Sequence, residues 1–185
     1  KWISEISYGL SQPPQDLENG IPFLRATNIS QGRIKIKGMK YVDPEGVPER
    51  RDVFLEAGDL LVVRSGAYTG DSAIVPQKYQ GAVAGYDMVV RVNGGFSEQY
   101  LSFCFLSEGF EAQVSLCSGR AAQSHLNAEE LGRFSIPSPP LPEQRAIAAY
   151  LDRETERIDA LVAKKERLIE LLEEKRTALI SHAVT

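Results

Sequence analysis

Apolar residues recur in steps of four and three along the last quarter of the chain, at Ile147, Leu151, Ile158, Leu161, Leu168, Leu172 and Leu179. Glu154, Lys165 and Lys175 complete the same seam. Neither Gly nor Pro follows Pro142, so the spacing predicts one uninterrupted heptad helix. From Pro142 to about Ala183 it would reach roughly 60 Å, at a rise of about 1.5 Å per residue. A compact domain of this size needs no such length, and a helix cannot bury its stripe against itself. The pattern therefore predicts a partner helix. An antiparallel second copy satisfies the seam, placing Glu154 opposite Lys165, Ile158 opposite Leu161 and Ile147 opposite Leu172. Val162, Ile169, Leu171 and Ile180 widen the stripe beyond a two-helix seam, which suits contact with more than one partner. An ordinary dimerisation coiled coil is the plainer alternative.

The preceding residues follow a different rhythm. Short β-type runs separated by turns extend from Ile21 to about Val92. They are Phe23-Leu24-Arg25-Ala26, the alternating Arg33-Ile34-Lys35-Ile36-Lys37, Leu60-Leu61-Val62-Val63 after the turn Ala57-Gly58-Asp59, and Met88-Val89-Val90-Arg91-Val92 before Asn93-Gly94-Gly95. The period of two in the second run puts Arg33, Lys35 and Lys37 on one strand face and the two isoleucines on the other. These runs predict a small, irregular, mostly antiparallel sheet. Ser97 is placed to N-cap a helix presenting Tyr100, Leu101, Phe103, Phe105 and Leu106. Asn127-Ala128-Glu129-Glu130 has the spacing of a capping box, so a short helix is expected there, followed by strand-like Phe134-Ser135-Ile136.

Between the two rhythms lies Ile136-Pro137-Ser138-Pro139-Pro140-Leu141-Pro142. Pro137, Pro139 and Pro140 favour a stiff, extended joint, whereas Pro142 suits the first turn of a helix, where a missing N–H costs nothing. Glu143 there complements the helix dipole. The expected organisation is α+β: an irregular β-rich domain over residues 1–136, a hinge over 137–142 and the long helix over 143–185.

Composition narrows the class. At 43% hydrophobic and 25% charged residues, the chain reads as globular, with enough apolar material for one core plus the helix. No run approaches the roughly 18 apolar residues of a membrane span and no signal-peptide pattern opens the chain, so no membrane association and a cytoplasmic location are expected. The first residue is Lys1, and Trp2-Ile3-Ser4-Glu5-Ile6 reads as an element already under way, which suggests a fragment. Cys104 and Cys117 lie in apolar stretches without metal-type spacing and read as reduced core residues. A formal charge of −4 argues against indiscriminate nucleic-acid binding. A DNA-binding surface would have to be a patch.

Catalytic chemistry is not visible. His125 and His182 are the two histidines, and neither sits with a Gly-x-Ser-x-Gly elbow or a Cys/His/Asn set. The loop Arg64-Ser65-Gly66-Ala67-Tyr68-Thr69-Gly70-Asp71 lacks the Gly-Lys-Ser/Thr ending of a phosphate loop and is not Gly-x-Gly-x-x-Gly. Asp52, Glu56 and Asp59 read as solvated turn residues rather than a metal site. The chain is expected to be non-catalytic, with no cofactor and no metal.

Several strings resemble one family. Pro139-Pro140-Leu141-Pro142-Glu143-Gln144-Arg145-Ala146-Ile147-Ala148 leading to Leu151-Asp152, with Lys175-Arg176-Thr177-Ala178-Leu179 closing the helix, resembles specificity subunits of type I restriction-modification systems. Gly20-Ile21-Pro22-Phe23-Leu24-Arg25-Ala26-Thr27-Asn28-Ile29, Gly58-Asp59-Leu60-Leu61-Val62-Val63-Arg64-Ser65-Gly66 and Gly119-Arg120-Ala121-Ala122-Gln123-Ser124-His125-Leu126 resemble blocks of its target recognition domain. Each block alone is weak, but together they run from about Trp2 to Thr185. A full-size member has two such units in tandem, with their helices packed antiparallel as a ruler between DNA half-sites. One unit is present here, so a half-length subunit pairing with itself or part of a longer protein is implied.

The resemblance implies double-stranded DNA with a bipartite target as ligand. It also implies modification (methyltransferase) subunits, a restriction subunit and a second copy of the unit as partners. No Asn-Pro-Pro-Tyr methylation motif occurs, and Ser138-Pro139-Pro140-Leu141 belongs to the hinge. Base readout needs fixed donor and acceptor patterns, and phosphate contacts need cations or hydroxyls. Arg33, Lys35 and Lys37, with Lys40 nearby, form the best cationic row; its plainer reading is a solvated strand face. Tyr68, Thr69, Arg120, Gln123, Ser124 and His125 are the base-contact candidates, against a structural turn for the last three. A competing reading makes the chain a dimeric protein-interaction scaffold without DNA binding, supported by its negative charge.

Overall fold

In the computed structural model, residues 2–48, 53–118 and 124–184 are described. They divide into two compact units, residues 1–145 and 146–185. In the first unit, β1 (Ile3–Tyr8), β9 (Met88–Val92), β6 (Leu60–Val62) and β7 (Ser72–Ile74) make a four-stranded antiparallel sheet in that order. A second sheet sets β5 (Lys40–Val42) antiparallel and β8 (Val83–Ala84) parallel to β2 (Asp16–Leu24). A third is the small hairpin β3 (Ile29–Ser30)–β4 (Arg33–Ile34). The single expected sheet is thus three. Every residue from Leu60 to Val63 is fully buried, as their unbroken apolar run requires.

The alternating run 33–37 stops being a strand after Ile34. The buried Asn28 explains why: its Nδ2 donates to the carbonyls of Lys35 (3.2 Å) and Lys37 (3.5 Å), and Lys35 N donates to Asn28 O (2.7 Å). These bonds curl the chain away from a ladder and leave Ile36 65% exposed, so the expected separation of isoleucines and cations onto two strand faces does not form. Phe134-Ser135-Ile136 is likewise not a strand. Its backbone groups pair with a side chain instead, Ser135 N donating to Gln113 Oε1 (2.7 Å) and Gln113 Nε2 to Ser135 O (3.1 Å).

Both capped helices form where their capping residues lie. Helix α1 (Glu98–Phe105) starts where Ser97 Oγ accepts from Tyr100 N, and α3 (Ala128–Gly132) starts with the reciprocal Asn127–Glu130 box. The inner face of α1 is Tyr100, Leu101 and Phe105, whereas Leu106 is 46% exposed and Phe103 half-buried. Phe105 stacks on Phe110 of α2 (Glu108–Ser118), with Trp2 and Phe134 meeting the pair edge-on. Cys104 and Cys117 are free thiols, half-buried rather than part of the core.

The proline segment is locked to α1. Tyr100 Oη donates to Pro137 O (3.1 Å), Ser97 N donates to Gln144 Oε1 (3.0 Å), and Gln144 Nε2 donates to Pro139 O (2.9 Å). Gln144 is fully buried, so one amide satisfies both the α1 N-terminus and the joint. The last helix, α4, runs Leu141–Val184, two residues earlier than expected. Considered by itself, it exposes Ile158, Leu161, Leu168, Leu172 and Leu179 of the seam, and Val162, Ile169, Leu171 and Ile180 beside it. Seam residue Glu154 pairs within the helix with Arg157 (3.1 Å). Among the described residues, no helix is long and apolar enough to cross a membrane.

Candidate nucleic-acid interface

Strands β6 and β7 are joined by the loop Arg64–Asp71. Val63 closes the ladder, its N–H donating to Asp71 O (2.8 Å) and its carbonyl accepting from Gly70 N (2.9 Å). The turn needs positive φ at Gly66 (90°) and Gly70 (94°), where a side chain would be strained; Gly70 also packs directly on Val114. Tyr68 stands at the tip, 56% exposed.

A second segment, 124–126, runs beside this loop. Ser65 and His125 form an antiparallel bridge, Leu126 N donates to Arg64 O (2.8 Å) and Gly66 N to Ser124 O (3.2 Å). Thr69 Oγ1 joins both, at 2.8 Å from Gly66 O and 3.2 Å from Ser124 O. The structure thus brings Tyr68, Thr69, Ser124 and His125 together. Arg120 and Gln123 lie outside the described residues. Thr69, expected as a base contact, spends its hydroxyl on holding the two segments together.

The centre of this arrangement is Arg64, which no sequence motif singles out. The Arg64 guanidinium lies over the rings of Tyr8 (4.5 Å) and Tyr86 (4.3 Å), and its Nη2 is 3.3 Å from His125 Nε2. Arg64 N donates to Asp87 Oδ1 (3.4 Å). The available signal was a mirrored pair, Tyr8-Gly9 and Gly85-Tyr86. A Cβ on Gly9 would sit 1.9 Å from Gly85 O, so only glycine lets these two ends converge around the arginine. A cavity of about 210 Å³, lined by Leu10, Phe23, Arg25, Ser65, Tyr86 and Asp87, adjoins the site.

Burial pushes the Asp87 carboxyl up to about 6, against the opposing pull of the Arg64 and Ala26 N–H groups and the Arg64 charge. Native Asp87 therefore keeps its proton to higher pH than an unfolded Asp, which titrates near about 3.9. Between those values the native state binds more protons, so this group's contribution to stability falls as pH rises from about 4 to about 6. From pH 5 to 7.5, wild type is expected to lose about 1 kcal/mol more stability than Asp87→Asn. Urea titrations of both proteins check it; equal pH dependence would refute it.

The cationic row borders the loop. Gly32 bridges Ala73 of β7 in parallel, with Gly32 N donating to Ser72 O (3.0 Å), and Arg33, Lys35 and Lys37 are all exposed. Burial pushes Asp71 up while the Lys35 charge pulls it down, placing Lys35 beside the loop's last residue. Lys40 is paired with Asp16 across the β5–β2 sheet. The described residues contain no group of three His, Cys, Asp or Glu able to hold a metal. The site offers cations, stacked aromatics and a ring nitrogen, the chemistry that meets phosphates and base edges.

Residues 10–171 match the profile of the type I restriction modification DNA specificity domain. The StySPI type I restriction enzyme specificity subunit of Salmonella potsdam is 24% identical over 99% of this chain, which spans 40% of that protein's length. The crystal structure of the HsdS subunit from Thermoanaerobacter tengcongensis is similar with a TM-score of 0.60 at 20% identity, over 83% of this chain and 41% of that one. A chain from a structure solved to explain complex assembly and conformational transition of the type I R-M system gives a TM-score of 0.64 at 21% identity, over 93% and 48%. At these identities the structural likenesses speak for the fold.

Proposed function

The chain belongs to the type I restriction modification DNA specificity family, and on that premise we propose that it is a sequence-recognition unit for double-stranded DNA. Residues 1–136 form the target recognition domain, 137–140 the joint, and α4 from Leu141 the spacer and pairing helix. The unit carries no catalysis of its own. Methyltransferase subunits modify adenine and a restriction subunit cleaves, at sites this unit selects in the cytoplasm.

One observation supports the reading above others. Two segments about 60 residues apart in sequence converge on Arg64 and His125, beside a row of exposed cations. The formal charge of −4 fits a local patch rather than a broadly basic surface. The apolar stripe exposed on α4 supports antiparallel pairing with a second unit, and the flanking Val162, Ile169, Leu171 and Ile180 support docking of modification subunits.

Arg33, Lys35 and Lys37 act on phosphates, since they are cations without the planar amides that read adenine. Replacing all three by Ala is expected to weaken binding to every duplex and to lower the salt slope by about 2–3, each phosphate contact contributing roughly 0.9. Titrations of the complex with modification subunits, at several salt concentrations and with excess competitor DNA, provide the test. Altered sequence preference at unchanged affinity would refute the assignment. No preference for any duplex by wild type would favour the scaffold reading.

A further inference from the structure

We propose that Arg64 is a positioning residue that fixes His125 as the neutral tautomer protonated on Nδ1, and that this Nδ1–H reads an acceptor on a base edge of the target. The first half stands on geometry alone; the second rests on the DNA-recognition reading.

Arginine is an obligate donor. Its Nη2 lies 3.3 Å from His125 Nε2, so the contact is a hydrogen bond when that ring nitrogen accepts. The proton of the neutral ring is then on Nδ1. A doubly protonated ring would set N–H against N–H and cation against cation at the same distance. The arginine cannot easily swing away to relieve this. Tyr8 and Tyr86 hold its guanidinium, and Asp87 and Leu126 bond the Arg64 N–H and C=O. The backbone of His125 is held by its bridge to Ser65.

This is a costly arrangement for structure alone. A free imidazole prefers its proton on Nε2, and here an arginine clamp selects the other form. The result is a single, oriented donor on a half-buried ring, held by an arginine that also stacks on the exposed Tyr86. Among the described residues, Nδ1 has no hydrogen-bond partner. In the major groove, guanine N7 and O6, adenine N7 and thymine O4 accept such a donor, whereas the cytosine amino group repels it. A phosphate would also accept it but would carry no sequence information.

Two histidines make the first test simple, since the chain's imidazole 15N spectrum contains His125 and His182 alone. The neutral ring of His125 is expected to show a protonated Nδ1 and an unprotonated Nε2, and Arg64→Ala to shift it toward the Nε2–H form. A wild-type ring protonated on Nε2 would overturn the proposal without touching the recognition reading. The second test measures binding of the assembled complex to a library of duplexes. His125→Leu should lower discrimination at one base pair by roughly ten- to a hundredfold, while His125→Asn, whose amide nitrogen replaces Nδ1, should retain most of it. Arg64→Ala should affect the same base pair. Unchanged discrimination in His125→Leu, or an equal loss for all sequences, would overturn the base-reading role. A wild-type complex with no sequence preference would instead overturn the recognition reading, and the 15N result would still decide the tautomer.

Discussion

Replacing Leu161 and Leu168 by Glu in the helix is expected to abolish pairing between copies at micromolar concentration. Both side chains are about half exposed on α4 in the single chain, so a partner helix has their apolar surface to cover. Fully burying an exposed leucine contributes about 1.5–3 kcal/mol, so covering the exposed half contributes about 0.8–1.5 kcal/mol, and a two-fold pair contains four such side chains. The loss is then about 3–6 kcal/mol, roughly two to four orders of magnitude in dissociation constant, before the cost of burying the new carboxylates is added. Light scattering reads this directly: wild type as a dimer and the variant as a folded monomer. A wild-type monomer at high micromolar concentration would contradict the pairing.

The second large effect concerns spacing. Duplicating residues 161–167 after Arg167 adds one heptad and keeps the seam in register, so the antiparallel pair still forms but is longer by about 10.5 Å. At about 3.4 Å per base pair the two half-sites should move apart by about three base pairs, and the original target should be lost. Methylation at an unaltered spacing would show that α4 is not the ruler.

What the sequence revealed follows the range of the interactions. The caps at Ser97 and Asn127 are closed by residues three positions away, and they appear where their spacing placed them. The heptad helix is equally local. Alternation at 33–37 misled because strand formation needs a partner, and Asn28 had already bonded the carbonyls of Lys35 and Lys37. Gln113 did the same for Ser135. In the candidate site, the polar residues at 68–69 and 124–125 were legible as unusual neighbours of apolar runs. Their meeting was not, because the Ser65–His125 bridge joins segments 60 positions apart. Arg64 was hidden for the same reason. Its importance comes from Tyr8, Tyr86 and Asp87, which no local pattern connects to it.

The most direct measurement is a genome-wide map of methylated adenines in cells that express this chain with the modification subunits. The account predicts an interrupted palindrome, two identical short half-sites in inverted orientation across a fixed spacer, because two copies related by a two-fold axis carry identical reading surfaces. A single contiguous, non-repeated target would contradict it.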